Sequence, residues 1–329
     1  MSRAVFDISL IVATYNRRHS LARLLKSIDC LEYSNSVILE VLVVDNGSND
    51  GTQSLLLEKQ QRTLKYSLKI LREERRGKSA ALNCGLRNCR GEIICVVDDD
   101  VVLDSQWLLG LTRAYKVSDF DALQGRVLPG VDPFGHSADL SKLHYYNIPV
   151  VDHGEQMRPI RGLTGANMMF RRSVFERVGF FDIRLGPGAS GFSEDTEFSQ
   201  RIRTAGFKIG YTPYPVVFHA LDPARYGRRY NRTVHYQKGA SRSIYRRVSL
   251  LRVFPETVAH CLRLCAYSVL GNGAKVHKTE GRVMRGLGYL QGSLWRYRKE
   301  IRAPEWPEFN HRFFDDHKNQ EREIRPLDD

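Results

Sequence analysis

No stretch of the 329 residues comes near the roughly eighteen consecutive apolar residues that a membrane-spanning helix needs. The best late candidate, CLRLCAYSVLG from Cys261, is too short and carries Arg263. The start, MSRAVFDISLIVATYN, lacks the charged, apolar and small-residue regions of a signal peptide, and its apolar part reads as a strand. A cytoplasmic location is therefore expected, with peripheral contact at the inner face of the plasma membrane left open. Cysteine is sparse: six residues, at 30, 84, 89, 95, 261 and 265, with no CxxC pair and no Cys/His cluster of zinc-ligand spacing. Reduced, mostly buried thiols are expected. The GxxxxGK[ST] spacing of a P-loop is absent. So are internal repeats, low-complexity tracts and an obvious flexible linker.

What is present is ordinary globular composition, 42% hydrophobic and 26% charged, long enough for one large α/β domain with an appendage or for two domains. The net charge of +13 is uneven: residues 221–329 hold 22 Lys and Arg against 12 Asp and Glu. A basic tail suits an anionic membrane, nucleic acid or a phosphorylated substrate, or is simply a solvated helical surface.

The first half alternates strand and helix patterns. ISLIVAT (8–14), VILEVLVVD (37–45), SLKIL (67–71) and EIICVV (92–97) read as strands, the continuous ones buried on both faces. Helical patterns cover 19–28, a stretch from Thr52, 79–90 and 106–115. Such alternation predicts a mostly parallel, Rossmann-like sheet with helices on both faces, binding ligands at the carboxyl ends of its strands. Polar groups gather there: Thr14-Tyr15-Asn16, Asp45 to Ser48, and Asp98-Asp99-Asp100. The middle is less regular. DALQGRVLP and GLTGANMMF suggest strands, SVFERV a short helix, and the glycines of 186–191 a mobile loop. A helix starts at Glu194 and ends by Gly206, and in KIGYTPYPVVFH Pro213 and Pro215 demote part of the strand to edge or turn. Beyond 220 the pattern is basic and helical, and Tyr226, Tyr230 and Val234 share a helix face that would pack on the first part.

Three consecutive carboxylates at a strand end repel one another unless a cation neutralises them, which suits Mg²⁺ or Mn²⁺ clamping a diphosphate. The bland alternative is an acidic turn, with Asp104 or Ser105 capping the next helix. Asp45 could accept N–H groups of a base or hydroxyls of a ribose. Arg75 to Ser79 opens a helix as an anion site or as an exposed basic turn. Glu194-Asp195 either caps its helix or supplies a general base for a hydroxyl. His219, ending a strand, is a third metal ligand or a structural histidine.

In order, SLIVATYNRRHSLARLLKSI, VLVVDNGSNDGT, RRGKSAALNCGL, VVDDDVVLDSQWL, LTGANMMFRRSVFERVGFFD and SEDTEFSQRIRTAGFKIGYTPYPVVFH resemble the family 2 glycosyltransferases of the GT-A fold, over about residues 7–220. The resemblance implies an inverting transfer from a nucleotide-sugar donor, with Mn²⁺ or Mg²⁺, to an acceptor hydroxyl of a glycan or lipid-linked glycan. It implies donor contacts from Thr14, Asn16, Asp45, Lys78, Asp98 and Asp99, the last in the variable position of the DxD motif. Asp100 would be the direct metal ligand, His219 a further one in some relatives, and Asp195 the catalytic base. Arg76-Gly77-Lys78 would close over the nucleotide, with Asn83 behind it. Arg201 and Arg203 would hold acceptor or face solvent. A GT-A catalytic domain over 1–220 and a basic helical region over 221–329, touching acceptor or anionic membrane, complete the expectation. A sugar nucleotidyltransferase is disfavoured because its Gly-rich loop after strand one is missing. A non-catalytic nucleic-acid-binding protein is disfavoured because acidic strand ends repel a phosphate backbone.

Overall fold

The structure, a computed structural model, describes residues 6–34, 37–130, 147, 149–222, 225 and 227–301, with side chains from 7 to 295. The expected alternation is there. β1 (Phe6–Thr14), α1 (Arg18–Asp29), β2 (Val37–Asp45), α2 (Thr52–Gln60), β3 (Ser67–Arg72), α3 (Lys78–Asn88) and β4 (Ile93–Asp98) follow one another. Three residues of extended chain, β5 (Val101–Leu103), come next, then α4 (Trp107–Val117) and β6 (Ala122–Pro129). The second half holds β7 (Arg158–Pro159), β8 (Asn167–Arg171), α5 (Arg172–Val178), α6 (Glu194–Thr204) and β9 (Ile209–His219).

The strands form one sheet in the order β3-β2-β1-β4-β8-β6-β9-β5, with β7 on β9. β3, β2, β1 and β4 are parallel, whereas β8 runs antiparallel between β4 and β6. Period-two alternation explains why the parallel strands are apolar throughout. Ile8, Leu10 and Val12 of β1 and Cys95 and Val97 of β4 enter one core with Leu21, Leu24 and Leu25 of α1 and Trp107 of α4. Ile11, Ile94 and Val96 enter the opposite core with Leu82 of α3 and Phe198 and Ile202 of α6.

The two prolines of β9 neither end the strand nor push it to an edge. β9 lies between β6 and β5, and its pairing with β6 jumps from Gly125–Thr212 to Arg126–Val216. Pro213, Tyr214 and Pro215 occupy that bulge, where no ladder N–H is required of them. The Pro215 carbonyl instead accepts from Asn167 Nδ2 at 2.9 Å.

Three helices complete the described chain: α7 (Arg228–Tyr245), α8 (Leu250–Val269) and α9 (Gly273–Ile301). α7 packs closely on α9, because a Cβ at Gly239 would strike the Arg285 carbonyl and one at Gly288 the Tyr236 carbonyl. Val234 is buried and Tyr230 half-buried, while Tyr226 lies outside the described residues. No described helix is long and apolar enough to cross a membrane. All six cysteines are free, but only Cys89 and Cys95 are buried; Cys30 and Cys265 are exposed, so the thiols are not mostly buried.

Candidate functional site

Strand register builds the site. Thr14 pairs with Asp45 across β1 and β2, and Ala13 with Asp98 across β1 and β4, so the three strand ends stop at one level. The turn after β4 carries Asp99 and Asp100 over the same rim. β5 then returns antiparallel to β9 with Val101 opposite His219, and the Ala220 N–H donates to the Asp100 carbonyl at 2.9 Å. A three-residue strand thus brings Asp100 and His219 together across more than a hundred residues of chain. Asp98, Asp100 and His219 offer ligand atoms that all lie within 4.8 Å of one another.

The cluster is buried and heavily countered. Thr14 Oγ1 donates to Asp99 Oδ2 at 2.8 Å, and Arg17 Nη1 reaches Asp99 Oδ1 at 3.2 Å and Asp100 Oδ2 at 2.6 Å. Arg225 Nη2 donates to the same Asp100 oxygen at 2.8 Å. Burial pushes Asp99 up to about 6, with Arg17 pulling against that and Asp100 adding to it. At Asp100 burial also raises the carboxyl, but His219, Arg225 and Arg17 outweigh it and hold the group well below the usual range. His219 Nδ1 lies 2.9 Å from the Ala220 carbonyl, an acceptor only, so Nδ1 carries a proton. Nε2 then faces Asp100 Oδ1, 3.3 Å away, a placement in which both atoms can ligate one cation. Two carboxylates and a so-oriented imidazole fit a divalent ion.

Lys78, at the start of α3, links this rim to the second carboxylate pair. Its ammonium pairs with Asp98 and lies 3.4 Å from Glu194 Oε1. Burial opposes its charge, yet Asp98 and Glu194 raise its pKa. Burial, offset by Lys78 and reinforced by Asp195, pushes Glu194 up to about 7. Gly165 makes room for this lysine: a Cβ there would come within 2.8 Å of Lys78 Nζ. Asp195 is partly exposed beside Glu194, and its Oδ1 accepts the Thr196 N–H at 2.6 Å.

The glycine stretch before this pair is held by hydrogen bonds from both sides. Lys78 N–H donates to the Pro187 carbonyl at 2.8 Å and Ser79 Oγ to the Leu185 carbonyl at 2.7 Å. Gly188, at φ +83°, meets the Gly77 backbone where a Cβ would sit 2.8 Å from its Cα, which accounts for glycine there. From the other side Ser241 of α7 donates to the Ser190 carbonyl at 3.1 Å and accepts the Phe192 N–H at 3.3 Å. α7 therefore forms one wall of the site.

Several of the expected residues carry structural hydrogen bonds. Asn16, at φ 51°, gives its amide oxygen to the Asn49 N–H at 2.8 Å and ties the ends of β1 and β2 together. Asn83 clamps Phe181 through N–H and carbonyl, both at 2.9 Å. Arg201 binds Glu197 and the Val178 and Phe180 carbonyls, whereas Arg203 is exposed and donates to the Arg161 carbonyl. Sequence reasoning missed Asn46, which holds the basic loop at the rim by accepting the Gly77 N–H and donating to the Glu73 and Arg75 carbonyls, all at 2.8 Å. It also missed Arg17 and Arg225. The available signal was charge balance: three adjacent carboxylates, two of them buried, need cations, and Arg17 stands just past a strand end that shares their rim.

Residues 9–179, just over half of the chain, match the family model described as Glycosyl transferase family 2. The chain is a family 2 glycosyltransferase. It is 28% identical over 249 residues to glycosyltransferase AglE of Haloferax volcanii, covering 75% of this chain and 77% of that one. It is 24% identical over 250 residues to a poly-beta-1,6-N-acetyl-D-glucosamine synthase of Staphylococcus epidermidis, covering 74% of this chain but only 56% of the synthase. Among solved structures it resembles the mannosyltransferase PcManGT from Pyrobaculum calidifontis in complex with GDP-Man and Mn²⁺. That likeness has a TM-score of 0.58 at 20% identity and covers 89% of this chain and 90% of the other; it is a likeness of fold, GT-A. In this glycosyltransferase the family match contains Thr14, Asp45, Lys78 and the Asp98–Asp100 triplet but stops before Asp195, His219 and α7.

Proposed function

We propose that this glycosyltransferase is an inverting enzyme that transfers a sugar from a nucleoside-diphosphate sugar to an acceptor hydroxyl, with a divalent ion at Asp98, Asp100 and His219. The convergence of those three ligand atoms, with Asp195 joined to them through Lys78 and Glu194, is the observation that carries the reading. Asp45, buried at the end of β2 with Oδ1 held by the Ser48 N–H at 2.9 Å, offers its other oxygen to base or ribose. Thr14 and Arg17 fix Asp99 behind the metal ligands, so Asp99 shapes the donor site by holding the turn. When bound, the ion would neutralise the diphosphate and so stabilise it as a leaving group. Asp195 takes the proton of the acceptor hydroxyl as its oxygen bonds to the anomeric carbon, and the anomeric C–O bond to the diphosphate breaks. Lys78 keeps Glu194 and Asp98 in place, which leaves Asp195 the accessible carboxylate of its pair. Mn²⁺ and Mg²⁺ both suit a site of carboxylates completed by imidazole and phosphate oxygens.

The test is a panel of UDP-, GDP- and dTDP-sugars with Mn²⁺ or Mg²⁺, scored for nucleotide release. One or more members should be turned over in a metal-dependent way, and no release or binding with any member would overturn the reading. Asp195→Asn should lower transfer by at least about a hundredfold, while donor affinity stays within a few-fold. An equal loss of donor binding would remove Asp195 from the role of base.

A second reading places α8 on an anionic lipid surface. Leu251, Phe254, Val258, Leu262 and Val269 repeat along one helical face and are 43–89% exposed. Arg252, paired with Glu256, and Arg263 line one side of the stripe, about a third of a turn away. An apolar stripe edged with arginine matches the interface of an anionic bilayer. The protein should float with vesicles containing phosphatidylglycerol and less with purely zwitterionic ones, and Phe254→Ser with Leu262→Ser should abolish flotation. Flotation indifferent to lipid charge and to those changes would overturn this reading. Dimerisation lost in the same variant would assign the stripe to a second copy instead.

A further inference from the structure

The wall that α7 and α9 build beside Asp195 is basic in a way the transfer step does not use. Lys238 lies next to the Glu194-Asp195 corner, its ammonium 5.3 Å from the centre of the Phe192 ring. One turn along α7 stands Arg242, and from α9 Arg285 reaches over to His235, with Nη2 2.8 Å from Nδ1. Arg282 stands one turn before Arg285. None of Lys238, Arg242, Arg282 and Arg285 has a carboxylate ion-pair partner among the described residues. The contrast on the same helices is plain. Arg228 and Arg232 share Glu280 at 2.8 and 2.5 Å. Four cations in one patch without a counter-charge repel one another, and the carboxylates that act on Lys238 among the described residues are Asp195 and Glu194.

The cost of that arrangement shows in the protonation equilibria. Lost hydration, then Arg285, pulls Lys238 below the usual lysine range. Lost hydration, then Arg242 and Arg282, does the same to Arg285. Both shifts would reverse if an anion sat among them. The patch also lies on the correct side of Asp195. The donor carboxylates reach Asp195 through Lys78 and Glu194, whereas Lys238 and Tyr245 approach it from α7, Tyr245 through Ser193. Donor, base and cation patch are therefore arranged in series.

We propose that the acceptor carries an anionic group, a phosphate or a carboxylate, which docks on Lys238, Arg242 and Arg285 and so presents a neighbouring hydroxyl to Asp195. This rests on the transferase reading above and adds the class of acceptor. The docked anion takes no part in bond making. The hydroxyl oxygen bonds to the anomeric carbon, its proton passes to Asp195, and the nucleoside diphosphate leaves with the electrons of the broken C–O bond. A phosphate could belong to a lipid-phosphate-linked glycan or to a phosphate-bearing polymer, and a carboxylate to a uronic acid.

The test uses the full chain, loaded with Mn²⁺ and UDP or GDP, and titrated calorimetrically with glucose 1-phosphate, dodecyl phosphate, glucuronate and methyl glucoside. At least one anion should bind tenfold or more tightly than methyl glucoside and weaken with salt. Preference for dodecyl phosphate points to a lipid source, for glucose 1-phosphate to a phosphorylated glycan, and for glucuronate to a uronic acid. Lys238→Gln and, separately, Arg285→Gln should each cost tenfold or more in that affinity while nucleotide affinity is unchanged, the latter serving as the check of folding. Lys208→Gln, at an exposed lysine paired with Asp119 just before β9, at the end of that strand opposite His219, should change nothing. Equal binding of charged and neutral probes, or an equal loss in Lys208→Gln, overturns the proposal with the transferase reading intact. Failure of nucleotide binding in the unaltered protein overturns both.

Discussion

At the scale of single residues the site depends on groups that never touch a reacting atom. Asn46 is the clearest. Its buried amide makes three hydrogen bonds that pin residues 73–77 against the end of β2. Asn46→Ala would strand two carbonyls and an N–H, at a cost of about 1–3 kcal/mol. Thermal unfolding should show that loss, and the donor KM should rise several-fold with kcat little changed, because the loosened loop borders the rim. Unchanged KM and melting temperature would mean that the loop is held by something other than this amide. Asp45, Asp98 and Asp100 were legible as candidates because a carboxylate ending an apolar strand is costly. Arg17 was not, since nothing in a local window says that a residue after one strand faces the turn after another.

At the scale of elements, α7 and α9 carry the second lesson. Their glycine contacts set His235 of α7 against Arg285 of α9. Burial, then Arg285, Lys238 and His277, lowers the His235 pKa from 6.5 to about 4. Between those values the unfolded chain binds more protons than the folded one, so stability falls as pH falls from 6.5 toward 4. Melting temperature measured across that window should drop, and His235→Gln should flatten the drop. An identical slope in the variant would show that other groups dominate. β5 and the β9 bulge are the elements the sequence hid. Three residues are too few for a periodic signal, and proline signals a broken ladder without saying whether the strand continues beyond it.

At the scale of the whole molecule, contacts cross the boundary expected near residue 220. Arg225 holds Asp100 at 2.8 Å, and Ser241 holds the loop that leads to Glu194 and Asp195. A chain ending at residue 220 should melt at a lower temperature and bind nucleoside diphosphate at least several-fold more weakly. Equal melting temperature and affinity for the shortened and full chains would restore the boundary. The basic character of the last third also gains a shape: part is spent on Glu280 and Asp100, part gathers beside Asp195, and part edges the apolar face of α8.

The sequence by itself determined the alternating α/β order, the faces of the parallel strands and the carboxylates at their ends, because period-two and helical patterning and the cost of buried charge act locally. Only the tertiary structure decided which cations answer those carboxylates, that His219 stands against Asp100, and that α7 walls the site. Each of these is a contact between segments tens to more than a hundred residues apart, fixed by strand register and helix packing, and no local window contains both partners.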